Sequence, residues 1–215
     1  MVKTNLASCE FPRRNEVREN QHANLGVLIL IGGILTMTLA GCATTIVPPP
    51  SPQQPVTVYL LDHGRTSSLA VPRDDGSFTR YVYGDWNWYA LMKVGFVQGI
   101  AALFWPTQGA LGRGIINRPS DMRDMLRKFD LESEKVFAIH VDRRRVDELN
   151  RRMDDIFLEN ADSLVRNEPY ALEFVRHPRQ YTICYNSNHA VAEWLGELGA
   201  EMRGPAMFSE WKLQD

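Results

Sequence analysis

Residues Leu25 to Ala40 read LGVLILIGGILTMTLA, sixteen positions without a single charge. A helix that crosses a bilayer needs about 20 apolar residues, whereas the apolar centre of a secretory signal needs about 7–15. The run sits nearer the second class, so it is expected to be an address and not part of a fold. Whatever folds in this chain of 215 residues is then built from the residues beyond it, one domain's worth of sequence with room for a well-buried core.

The apolar run ends in Leu39-Ala40-Gly41-Cys42, which resembles the lipobox of bacterial lipoproteins. The resemblance implies that the small residues at 40 and 41 fit a signal peptidase and that the Cys42 thiol takes a diacylglycerol. Residues 1–41 are then a signal peptide, and membrane lipid is reached through Cys42. Ahead of the apolar run lie 24 residues that mix Arg13, Arg14 and Arg18 with Glu10, Glu16 and Glu19. Signal starts are ordinarily shorter and plainly basic. A start codon assigned too far upstream accounts for the mixture, and it leaves Cys9 outside the working protein. After Cys42 the stretch ATTIVPPPSPQQP is rich in proline and small or polar residues. It reads as a semi-extended tether over 42–55. Ala43 in place of an aspartate after the cysteine resembles the outer-membrane class of Gram-negative sorting, which implies a domain facing the periplasm.

Residues 56–215 read as a single α+β domain with a small antiparallel sheet and packed helices. Val56 to Asp62 (VTVYLLD) is rich in β-branched and aromatic residues and predicts a buried strand. A turn at His63-Gly64 leads to a second strand, Ser67 to Val71, closed by Pro72. Asp74-Asp75-Gly76 predicts the next turn and Thr79 to Tyr83 a third strand, together a meander. Trp88 to Trp105 carries one charge, Lys93, and predicts a helix that is either central or rests on lipid or a partner. Ser120 can cap an amphipathic helix through Phe129. Val136 to Asp142 predicts a strand, and Asp142 a cap for a helix whose apolar positions are Val146, Leu149, Met153, Ile156 and Phe157. Tyr181 to Tyr185 predicts a short strand. It leads into a helix from about Asn186 to Leu198 that stops at Gly199.

The formal net charge of −2 leaves no electrostatic footprint for nucleic acid. No phosphate loop, HExxH, paired CxxC or GxSxG is present, so no cofactor or metal is expected. A metal would have to draw on the scattered His63, His140, His177 or His189 with Asp62 or Asp142. The chemistry-bearing residues gather at two places instead. The first strand runs out through Asp62-His63-Gly64-Arg65-Thr66-Ser67-Ser68, and the last helix opens with Cys184-Tyr185-Asn186-Ser187-Asn188-His189. A nucleophile at a helix start gains from free N–H groups and the positive dipole end, and a histidine nearby can act as base. Ser187 and Cys184 are the candidate nucleophiles, and His63 or His189 the candidate bases. Each has a plainer role as well: Ser187 as helix cap, Cys184 as a small buried apolar residue, His63 as a turn residue satisfied by backbone. His140 reads as a satisfied core histidine or as a group that orients a base.

Val58-Tyr59-Leu60-Leu61, Gly64, Leu69 and Pro72, then Tyr83-Gly84-Asp85-Trp86 and Tyr89, then Tyr181-Thr182, Asn188, Ala192, Leu195 and Gly199 resemble a bacterial envelope family, DUF2459-like. That family is related to the periplasmic N-terminal domain of lipoprotein N-acyltransferases. Both look like circularly permuted papain-like (NlpC/P60) domains, in which the histidine strand precedes the cysteine helix. The family's last motif, approximately Thr-Cys-Asn-Thr-Trp, puts its cysteine on Ser187 and its asparagine on Asn188. Its Gly-Trp-His-Thr falls on Gly64-Arg65-Thr66-Ser67, with Thr66 where the histidine belongs. Both family catalytic positions are therefore changed. The resemblance implies a membrane-anchored envelope lipoprotein whose domain acts in binding or scaffolding, with peptidoglycan or an envelope protein as partner. The alternative is an envelope hydrolase, acyltransferase or amidase that uses Ser187 or Cys184.

Overall fold

The computed structural model describes residues 43–92, 106–117 and 135–214. The β-branched run that opens the meander forms β2 (Pro55–Asp62), which is paired on both sides. It lies between β3 (Ser67–Pro72) and β6 (Lys135–Asp142), with Asp62 opposite both Ser67 and Lys135. The hairpin into β3 closes with His63 N donating to Thr66 O, and Gly64 takes a positive φ of 80° that a side chain would resist. β4 (Phe78–Asp85), β5 (Gly109–Ile116), β8 (Leu172–Arg176) and β7 (Val165–Asn167) continue the sheet. The order is β6-β2-β3-β4-β5-β8-β7, and every neighbouring pair is antiparallel. The α+β class holds, but a seven-stranded sheet takes the place of the small one expected.

Both faces of that sheet are buried at its central strands, whereas the edge strand β6 leaves Val136, Ala138 and His140 exposed. On one face Leu60, Leu69, Tyr81, Tyr83, Leu111 and Ile139 pack with two helices, α1 (Arg143–Glu159) and α2 (Ser187–Glu197). The apolar positions read for α1 are all buried, and Asp142 caps it, its carboxylate accepting from Arg144 N at 3.1 Å. Trp194 of α2 is 2% exposed and meets the Tyr81 ring edge-on. On the other face Leu61, Ala70, Phe78 and Ile116 form one cluster, and Val82, Ala110 and Phe174 form another with Trp86 and Ala90. β4 is consequently buried along its whole length.

Three expectations are corrected. Thr44–Val47, placed in the tether, is a strand, β1, in a second sheet between β9 (Glu201–Arg203) and β10 (Trp211–Leu213). Its Ile46 is fully buried in the main core, and that burial holds the segment down despite the prolines beyond it. Tyr181 to Tyr185 is not a strand. It makes only two isolated bridges, Thr107 with Tyr181 and Thr182 with Tyr185, around a turn that carries Ile183 and Cys184. The apolar helix read from Trp88 is not formed where it was to start: a single π-helical turn, Trp86–Ala90, capped by Asp85, closes at Leu91, and Met92 is outside any helix. Residues 93–105 of that reading lie outside the described residues, as do the helix read from Ser120 to Phe129, Cys9 and Cys42. Strands β5, β7, β8, β9 and β10 were not anticipated.

Candidate functional site

The start of α2 is held by asparagines. Asn186, not Ser187, is the cap: its Oδ1 accepts from Asn188 N at 3.0 Å and His189 N at 3.2 Å. The same oxygen lies 3.0 Å from His189 Nδ1, and Asn186 Nδ2 donates to Met207 O. Asn188, 1% exposed, donates through Nδ2 to the carbonyls of Arg65 and Met207, both at 3.3 Å. So the helix start is fastened to the β2–β3 loop on one side and to the segment before β10 on the other. Ser187 is the first helical residue and is 2% exposed. Asn186→Ala is expected to cost about 1–2 kcal/mol of stability as the cap is lost, against about 0.5 kcal/mol or less for Ser187→Ala. Urea unfolding of the two variants measures the contrast.

His63 sits in the loop that Asn188 touches, yet its hydrogen bond runs elsewhere. Its Nε2 lies 2.8 Å from Ser68 Oγ, and Arg80 Nε donates to the same oxygen at 3.1 Å. Ser68 and Arg80 are buried on adjacent strands of the sheet. Burial, and after it the neighbouring Arg80 guanidinium, pushes the His63 imidazole down from 6.5 to about 3. At neutral pH the ring is uncharged. The Ser68 hydroxyl is thus shared by the Arg80 guanidinium, which donates to it, and the His63 imidazole. His63 Nδ1 and Arg80 Nη1 are both buried with no hydrogen-bond partner among the described residues.

His189 is also turned away from Ser187. It bonds the capping Asn186, and burial, then Arg179, lowers its pKa. Cys184 is an exposed free thiol on the turn ahead of α2, so the buried apolar role does not hold. His140 is not a core residue either: it is exposed on β6, with Nδ1 3.2 Å from Thr57 Oγ1. Asn188, the neighbour of Ser187, bonds the hairpin that carries His63. Neither imidazole is bonded to Ser187. A base of pKa about 3 is also poorly matched to proton abstraction near pH 7. Residues that sequence reasoning passed over are Ser68 and Arg80, and Asn186 as the cap. Arg80 is an arginine inside an otherwise apolar strand, a signal easily read as a solvent-facing position.

A groove of about 660 Å³ lies at the far end of α2, lined by Pro49, Asp142, Arg144, Arg145 and Leu198 among others. It is removed from Ser187 by the length of the helix. Among the described residues no cluster of three His, Cys, Asp or Glu side chains can hold a metal ion. Among the same residues no helix is long and apolar enough to cross a membrane. Comparison with family models, curated proteins and solved structures finds no match to this chain.

Proposed function

We propose that this chain is a lipid-anchored protein of the bacterial cell envelope, held at Cys42 in the outer membrane and facing the periplasm. Its domain is of the permuted papain-like type and acts in binding or scaffolding, with peptidoglycan or another envelope protein as partner. The observation that carries the binding reading is the state of the two candidate bases. His63 is bonded to Ser68 and held neutral down to about pH 3, and His189 is bonded to Asn186. Without a base a serine hydroxyl is a weak nucleophile, and Thr66 stands at the position from which the family's histidine would act. The papain-like reading is supported by the bond from Asn188 at the helix start to Arg65 in the earlier hairpin.

The test is labelling of the purified full chain with a fluorophosphonate for serine and an epoxysuccinyl probe for cysteine. Neither is expected to label it, and Ser187→Ala and Cys184→Ala are expected to leave retention on peptidoglycan unchanged. Labelling that Ser187→Ala or Cys184→Ala removes overturns the binding reading in favour of a hydrolase or acyltransferase.

A further inference from the structure

The first described residue, Ala43, enters the domain at a particular place. Thr44 N donates to Glu210 O at 2.8 Å, and Thr44 Oγ1 accepts from Ala206 N at 2.9 Å. A side chain at Gly204 would strike the Ala43 carbonyl, so this glycine, at φ 121°, lets the two stretches close on each other. The segment 204–210 thus wraps the point where the chain comes in. Its Met207 carbonyl takes the bonds from Asn186 and Asn188, and Trp211 Nε1 just after it donates to Ser67 Oγ at 2.7 Å. Chain entry, the β2–β3 hairpin and the start of α2 therefore share one end of the domain.

Strand β1 removes the slack that a tether would give. The strand begins at Thr44, two residues after position 42 in sequence, and one extended residue spans at most about 3.3–3.6 Å. A lipid attached at Cys42 holds this end, and no other, at the membrane surface. The same end is the apolar one. Phe208 is 50% exposed and Ile183 46%. Trp88, Leu91 and Met92 follow β4 where Asp85 pairs with Gly109, at the level of the Thr107–Tyr181 bridge, and are exposed as well. With Val136, which pairs with Leu61 beside the β2–β3 hairpin, these are six of the nine large apolar side chains exposed among the described residues.

We propose that the end of the domain carrying Phe208, Ile183 and Trp88 rests on the bilayer, so that the start of α2 lies on the membrane side of the domain. The inference rests on the anchor at Cys42 and adds the orientation that the anchor imposes. Apolar side chains set into the boundary between headgroups and acyl chains supply the contact, and the exposed Arg65 stands at the same end for anionic headgroups.

The test uses the full chain, processed and lipidated, in vesicles of phosphatidylethanolamine and phosphatidylglycerol that contain a spin-labelled lipid. A fluorophore goes on Cys184, the free thiol on the turn ahead of α2. In a second protein, with Cys184→Ser, it goes on Asp75→Cys in the turn at the opposite end of the sheet. Quenching is expected to be several-fold stronger from position 184 than from position 75, and Phe208→Glu is expected to weaken it at 184. Equal quenching at the two positions, or stronger quenching at 75, overturns the proposal. Partition of the same protein into a detergent-rich phase reports the anchor separately. A chain found in that phase but equally quenched at both positions defeats the surface and leaves the anchor standing. A chain found in the aqueous phase defeats both.

Discussion

Cys42→Ser is expected to abolish acylation completely and to leave the chain uncleaved, with residues 1–41 still attached. The thioether to diacylglycerol needs a thiol. A serine hydroxyl holds its proton far too tightly to replace it at neutral pH, so the effect is all or none and not a matter of degree. Two acyl chains are what make such an anchor durable: each buried methylene contributes about 0.8 kcal/mol, and a single chain gives only marginal, reversible binding. Incorporation of an alkynyl fatty acid and the mass of the intact protein are the measurements. The wild type is expected to carry label on a chain that begins at Cys42, whereas Cys42→Ser carries none at the full mass. Cys9→Ser is the control and is expected to behave as wild type, because the proposed processing at Cys42 removes position 9. Label that persists in Cys42→Ser places the acyl group elsewhere and defeats the anchor. The domain itself is expected to fold alike in both proteins, since β1 begins only at Thr44 and its bonds to Glu210 and Ala206 do not involve position 42.

Much of the fold was legible where local chemistry decides it. Val56 to Asp62 and Val136 to Asp142 are β-rich runs that become neighbours, and the apolar spacing of α1, its Asp142 cap and the stop at Gly199 all arise from residues close in sequence. The hidden strands owe their existence to partners far away. β1 pairs with β10, so Thr44 meets Trp211 from the other end of the domain, and four residues beside a proline run give no local sign of it. β5 reads GALGRGII, a poor strand by propensity. Gly112 is there because the Phe174 ring of the neighbouring β8 occupies the space a side chain would need. A sheet buried on both faces also hides its period, as β4 shows with no exposed position at all.

At the site, residue types were legible and their partners were not. His63 and Ser187 were both singled out, and the loop and helix start that carry them do meet through Asn188. Which way the imidazole turns depends on Ser68, five residues on, and on Arg80 one strand further over, and no spacing rule links those three. Asn186 and Ser187 are both good caps side by side, so the sequence offered two starts for one helix. The asparagine prevails because it satisfies N–H groups with Oδ1 and holds Met207 O with Nδ2, where a serine has one oxygen to offer.

His63→Gln is expected to flatten the acid side of the stability profile, and that measurement also bears on whether the domain can catalyse. In the folded chain the imidazole takes up its proton only near pH 3, because burial and then Arg80 oppose the charge. In the unfolded chain it does so near 6.5. Between those values the unfolded state binds the extra proton, so stability is full above about pH 6.5 and declines as pH falls. The decline is about 1.4 kcal/mol per pH unit, about 5 kcal/mol over the whole window, after which the folded ring protonates too and the loss stops growing. A loss of that size is comparable with the whole stability of an ordinary domain, so the wild type is expected to unfold in far less urea near pH 3 than near pH 7. Glutamine can still bond Ser68 and does not titrate. Carboxylates that titrate in the same range do so in both proteins, and the difference between their urea-unfolding profiles isolates the imidazole. Parallel profiles would mean that His63 titrates near its ordinary value and is available as a base at neutral pH, and the case for a silent site would fall with that result.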